Sequence, residues 1–201
     1  MAAALSEVDV LNAALLKIGA DTITGIDDGS VNAERCKILY PPLRRAHLRM
    51  HHWNFAERRA TLAQALPAPE FEFAFRYPLP PNALKLKEYN GTQVDTSQFI
   101  EGFFIANRFK IEGREVFTND GEVRIVYVAD IDDPNLWDPL FYQAMVHLLG
   151  ADLADAIPHD PAKAKNLLER GANFWLPIAS AVDGQEGSVH PIASDALIRG
   201  R

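Results

Sequence analysis

The spacing of the apolar residues changes twice along this chain, and no other feature constrains the fold as much. Up to about residue 56, apolar side chains recur three or four apart, the spacing of one helix face. Between 57 and 129 they alternate in the manner of strands, and from 130 the helical spacing returns. This order predicts an α+β fold. Residues 1–56 and 130–183 form an antiparallel helical bundle, residues 57–129 an inserted antiparallel β-sheet layer, and residues 184–201 an extended C-terminal tail. At 201 residues the chain suits one domain, long enough to bury a core without staples.

Local signals set the expected elements. Ser6 is placed to cap a first helix, with Glu7 and Asp9 in the turn where the helix dipole favours acids. Val8, Leu11, Leu15 and Ile18 form its stripe and Gly19 its stop. Ser30 caps a second helix with the stripe Ala33, Cys36, Tyr40, Leu43, His47 and Met50. Pro41 and Pro42 predict a kink or break near Tyr40, because proline removes a donor and clashes one turn back. RRATLAQAL, PEFEFAFRY, ALKLKEY, FFIANRFKI and EVRIVYVAD alternate like strands, giving one sheet of about four to six strands. Turn chemistry falls at Asn90-Gly91, Glu112-Gly113 and Asn119-Asp120-Gly121, and YPLPPNA at 77–83 is an extended connection.

After Asp133-Pro134, the residues Trp137, Leu140, Phe141, Ala144, Met145 and Leu148 mark a broad helical face. Asp160 and Pro161 open a further helix with the stripe Leu168, Ala172, Trp175, Ile178 and Val182, and Pro177 bends its last turns. The residues from 184 onward are thin in apolar side chains, which suits ordering by a partner.

Candidate chemistry is sparse. His47, His51 and His52 stand beside Trp53, and the spacing of His47 and His51 would put both rings on one helix face. The zinc-protease pattern needs a glutamate after the first histidine, where this chain has Leu48, and Arg44, Arg45 and Arg49 disfavour a cation. A metal-dependent hydrolase using these histidines is the alternative from another class. The favoured expectation is a helix end where positive charge suits the dipole. Cys36 sits in an apolar stripe and reads as a packed thiol. The DIDDP run lacks the ligand pattern of a calcium loop, and no phosphate-cradling glycine motif is present. The expectation is no catalytic, cofactor-binding or metal-ligating residue, and so no enzyme. The strongest basic cluster, RRAHLR at 44–49 with ERR at 57–59, reads as a solvated helix face or a protein interface. The net charge of −7 disfavours a chain coated in phosphate contacts. Glu7, Asp9 and Lys17 interrupt the first apolar run, which therefore reads as neither signal peptide nor membrane span.

Trp53, Asn54 and Phe55 fall where the helical spacing gives way to the strand spacing. They read as a structural hinge that anchors the sheet onto the bundle. Truncating Trp53 to alanine is expected to cost about 3–5 kcal/mol, measurable by denaturant unfolding, if the ring is buried.

LNAALLKIGADTITGIDD at 11–28 and VNAERCKILYPPLRRAHLRMHHWNFAERRATLA at 31–63 resemble the tail tubular protein A family, the head-to-tail adaptors of short-tailed phages. The matching positions are Ile18-Gly19, Ala33, Cys36, Tyr40, Trp53 to Ala56, Arg59 and Leu62. FRYPLPPNALKL resembles the family's connection into its sheet, and later helices match in placement only. Pro41-Pro42 departs from the family pattern. The resemblance implies a virion protein of the head–tail junction, made in the host cytoplasm. It would form a ring, usually of twelve copies, between the portal and the tail nozzle (tubular protein B), with double-stranded DNA passing through. Leu197, Ile198, Arg199 and Arg201 would then dock on the portal. The tips at Asn90, Gly91, Asn119 and Asp120 would face the nozzle. A connector or tail-completion protein of a long-tailed phage is the alternative within the same class.

Overall fold

A computed structural model describes residues 4–94, 109–157 and 159–186. The fold is α+β, with helices at both ends of the described chain and every strand pairing antiparallel between them. The helices are α1 (Glu7–Ile18), α2 (Val31–Met50), α3 (Pro139–Ala156), α4 (Pro161–Arg170) and α5 (Leu176–Glu186). The strands are β1 (Glu57–Leu62), β2 (Phe75–Pro78), β3 (Ala83–Tyr89), β4 (Thr92–Gln93), β5 (Phe109–Glu112), β6 (Glu115–Thr118) and β7 (Val123–Ala129).

The caps follow the sequence. Ser6 and Asp9 form a reciprocal capping box, Gly19 ends α1 in the left-handed region, and Ser30, Asp138 and Asp160 each accept from the first turn of their helices. Central among the helices is α3. Its run from Ala144 to Ala151 is buried on every side, because α1, α2, α4 and α5 all pack on it.

The expected break at Tyr40 does not occur: α2 runs through Pro41 and Pro42. Those prolines leave the carbonyls of Lys37 and Ile38 without helical donors, and both residues lie on the exposed side, where water can replace the lost bonds. Its buried face is Ala33, Cys36, Tyr40, Arg44 and Leu48, so Leu43 and His47 are only partly covered and Met50 is 66% exposed.

The last stripe is also displaced. Leu167, Gly171, Ala179 and Asp183 face inward, while Leu168 is 51% and Ile178 37% exposed. A wide turn, Gly171–Trp175, joins α4 to α5, with the Leu176 N–H reaching back to Gly171 O. The departure from regular helix lies in the turn before Pro177, where the proline supplies no donor to the Asn173 carbonyl. At the start of that turn α3 is close: a Cβ at Gly171 would stand 2.8 Å from Leu148 Cγ. The position nearest α3 must be the smallest residue, and a search for large apolar side chains overlooks it.

There are two sheets among the described residues, not one. The first has the order β1-β7-β3-β4 and the second β2-β6-β5. PEFEFAFRY contributes a strand only from Phe75, and FFIANRFKI only from Phe109, its earlier residues lying outside those described. The chain changes sheet between β1 and β2, again along the proline-rich connection after β2, and again at Asn119-Asp120-Gly121. At β3–β4, Asn90 and Gly91 both take positive φ, as the two-residue hairpin requires. The Tyr89 and Thr118 hydroxyls, 2.8 Å apart, tie one sheet to the other. A single hydrophobic core runs from the helices into both sheets.

Candidate interface and the junctions beneath it

Trp53 leaves α2 three residues after its end and is fully buried. Its ring meets Phe141 edge-on at 4.9 Å between centroids, and Phe55 meets the same Phe141 at 5.1 Å. Trp53 and Phe55 thus share one partner, although Asn54–Ala56 is a turn of 3-10 helix and not strand. The indole Nε1–H donates to His47 O at 3.1 Å, so the buried polar edge is satisfied.

Asn54 reaches α5. Its N–H donates to the Asp183 carboxylate at 2.8 Å, and its side-chain amide donates to Asp183 O at 2.6 Å. His51 Nε2 lies 3.1 Å from the other carboxylate oxygen. Asp183 is only 5% exposed, and it was missing from the sequence expectations. Its signal was present: a lone acid in the apolar run IASAVDG, four residues beyond Ala179.

The three histidines do not converge. His47 Nδ1–H donates back to Leu43 O at 2.8 Å, while His51 turns to Asp183. Among the described residues, no group of three or more histidine, cysteine or acidic side chains is arranged to hold a metal ion. Cys36 is buried, and burial pushes its thiol up to about 11. Burial likewise pushes the Tyr40 phenol up to about 12. Among the described residues no helix is long and apolar enough to cross a membrane.

The basic cluster is partly tied to the chain, while Arg45, Arg49 and Arg59 stay exposed. Arg44 is 7% exposed, bonds Asp130 Oδ1 at 3.0 Å, and lies over the Tyr40 ring. Arg45 bonds the other oxygen of Asp130 at 2.7 Å. Arg49 donates to Leu84 O, and Arg58 to the carbonyls of Phe55 and Glu57. Four arginines are therefore engaged within the chain, and Arg59 alone of the cluster's arginines has no polar partner among the described residues. The DIDDP run is structural too: Asp130 anchors α2, and Asp133 caps the short turn Pro134–Leu136.

Asn90, Gly91, Asn119 and Asp120 lie together where the two sheets meet. Asn90 Nδ2 donates to Asp120 Oδ2 at 3.2 Å and to Glu122 O at 3.1 Å, and its Oδ1 accepts from Arg124 N at 2.8 Å. The Tyr89 hydroxyl donates to Asp120 Oδ2 at 2.8 Å, and Asn119 Oδ1 accepts from Ala74 N. These side chains form a latch between the sheets, with Gly91 exposed at its edge. Leu197, Ile198, Arg199 and Arg201 lie outside the described residues. Of the expected tail, Gly184–Glu186 belong to α5.

One surface feature was not anticipated. An open groove of about 490 Å³ runs between α2, α3 and α4, lined by Leu39, Ala151, Ala156, Ala164 and Leu168 with Asp152, Asp155 and Lys165. The Asp152 carboxyl is raised above its ordinary range, chiefly by burial against the groove wall, although His47 opposes the shift. Neither Asp152 nor Asp155 has a hydrogen-bond or ion-pair partner among the described residues.

No protein-family model matches the chain, and comparison with curated proteins finds no match.

Proposed function

We propose that the chain is a structural virion protein, a head-to-tail adaptor that forms a ring between portal and tail nozzle and gives DNA a passage. The reading rests on the resemblance carried by residues 11–63. The observation that supports it most is the internal engagement of the basic cluster. With Arg44, Arg45, Arg49 and Arg58 turned to the chain's own acceptors, a net charge of −7 leaves a surface that repels a duplex. A conduit needs that property, since bound phosphates would arrest a moving strand.

In this reading the helices form an antiparallel bundle with the sheet region inserted, and the ring is a dodecamer. The Asn90–Asp120 latch faces the nozzle, and the segment bearing Arg199 and Arg201 reaches the portal. The test is the mass of the purified protein, alone and after mixing with portals from short-tailed and long-tailed phages. A large ring assembled on one of them is the expected result. A chain that ignores every portal yet binds duplex DNA at moderate salt would overturn the reading.

A further inference from the structure

The groove between α2, α3 and α4 has two characters. Its floor is aliphatic, from Leu39, Ala156, Ala164 and Leu168, and one wall carries the carboxylates of Asp152 and Asp155 one helical turn apart. Water covers apolar surface at a cost, and two neighbouring carboxylates repel each other, a repulsion that Lys165 and His47 offset only in part. The occupant this surface fits is a short segment with adjacent aliphatic residues followed by basic ones.

The chain carries such a segment. After α5 ends at Glu186 come residues 187–201, GSVHPIASDALIRGR, with Leu197 and Ile198 directly before Arg199 and Arg201. We propose that the groove is the docking site of this chain's own C-terminal segment. Leu197 and Ile198 lie on the aliphatic floor, with Arg199 and Arg201 against Asp152 and Asp155.

Reach is sufficient. The Asp183 junction places α5 at the Phe141 end of α3, and the groove lies toward its other end. From Phe141 to Asp155 the helix rises roughly 21 Å, whereas the chain from Glu186 to Leu197 spans up to about 36 Å when extended. Tethering also selects the occupant. A segment joined by a short linker has an effective concentration on the order of millimolar, which a second copy in dilute solution does not match. The charges agree in detail, since Asp195 precedes the arginines and Lys165 stands among the groove residues. A partner that takes the segment must first displace it from the groove. The inference stands apart from the adaptor reading, because a chain that binds no portal would still fold its end back.

Disulfide trapping in the full-length protein tests it. Ile198→Cys is combined with Leu168→Cys at the exposed groove rim, and, as control, with Arg124→Cys on the exposed face of β7. Buried Cys36 is replaced by alanine in both. Under mild oxidation the groove pair should close within one chain at least tenfold faster than the control pair, at a rate unchanged by tenfold dilution. Adding Arg199→Glu and Arg201→Glu should slow closure at least fivefold, and Asp152→Lys with Asp155→Lys should restore it. Closure no faster than the control, closure only between chains, or indifference to the charge reversals would each overturn the proposal. Closure between chains would assign the groove to a second copy.

Discussion

Asp183 and Asn54 hold each other through both side chain and backbone: the carboxylate accepts the Asn54 N–H at 2.8 Å, and the Asn54 amide donates to Asp183 O at 2.6 Å. They stand 129 positions apart. The pair joins the end of α5 to the point where the first helices give way to the sheet. Asp183→Ala leaves a half-buried N–H unpaired and removes the partner of His51, at a cost of about 2 kcal/mol. Asn54→Ala keeps the backbone bond and should cost only about 1 kcal/mol. Denaturant unfolding of the two variants checks the order, and equal effects would show that the carboxylate is not what holds the junction.

Arg44 and Asp130 form the second long-range tie, and the two arginines on Asp130 are not equivalent. Arg44 is buried, whereas the Arg45 side chain is 63% exposed. Asp130→Ala would leave the buried guanidinium with only the Glu7 carboxylate at 4.0 Å and cost about 3 kcal/mol. Arg45→Ala removes an exposed partner and should stay within about 1 kcal/mol. Calorimetric melting of both variants would separate them, and similar melting temperatures would contradict the assignment.

Gly171→Ala is informative because two effects oppose. In an exposed helix, alanine in place of glycine gains about 1 kcal/mol. Here the added methyl would meet Leu148 Cγ and Cδ2 at 2.8 Å, beneath any ordinary contact distance. Overpacking of this kind costs about 1–3 kcal/mol, so the net effect should be destabilising. A stabilised variant would mean that α3 and the wide turn separate easily.

Alkaline pH should weaken the fold through Cys36 and Tyr40. Both groups are neutral when protonated, and burial raises the thiol to about 11 and the phenol to about 12. A group whose folded value lies above its unfolded value contributes stability that is whole below the unfolded value. That stability is lost as pH rises through the folded value. Stability should therefore fall from about pH 9 to pH 12. Cys36→Ala should remove the earlier part of the fall, visible in urea midpoints measured across that range.

Much of the fold was legible because its signals are local. Ser6, Ser30 and Asp160 announce helix starts through side chains that reach only three residues ahead, and Asn90-Gly91 announces a hairpin through its own backbone angles. The strand cores at 57–62, 83–89 and 123–129 followed from alternation alone. The errors have a common source. A search for apolar stripes passes over Arg44 and Asp183, which are buried because Asp130 and Asn54 meet them from the far side of the sheet region. It passes over Gly171, whose only qualification is that it lacks a side chain where Leu148 approaches. Sequence also assigned one sheet, since alternation marks a strand without naming its neighbour.

The candidate site divides along the same line. That Trp53, Asn54 and Phe55 stand where the helical spacing ends was readable, but their partners Phe141 and Asp183 were not. The basic run was visible as charge, and only the folded chain turned four of its arginines onto internal acceptors. By itself the sequence determined where the capped helices start and where the Asn90-Gly91 hairpin turns, because capping, turn geometry and residue spacing act within a few residues. Tertiary structure alone decided which faces are buried, which charges are satisfied and where a groove remains. Those depend on close approach between segments far apart in the chain, and no short window of residues records it.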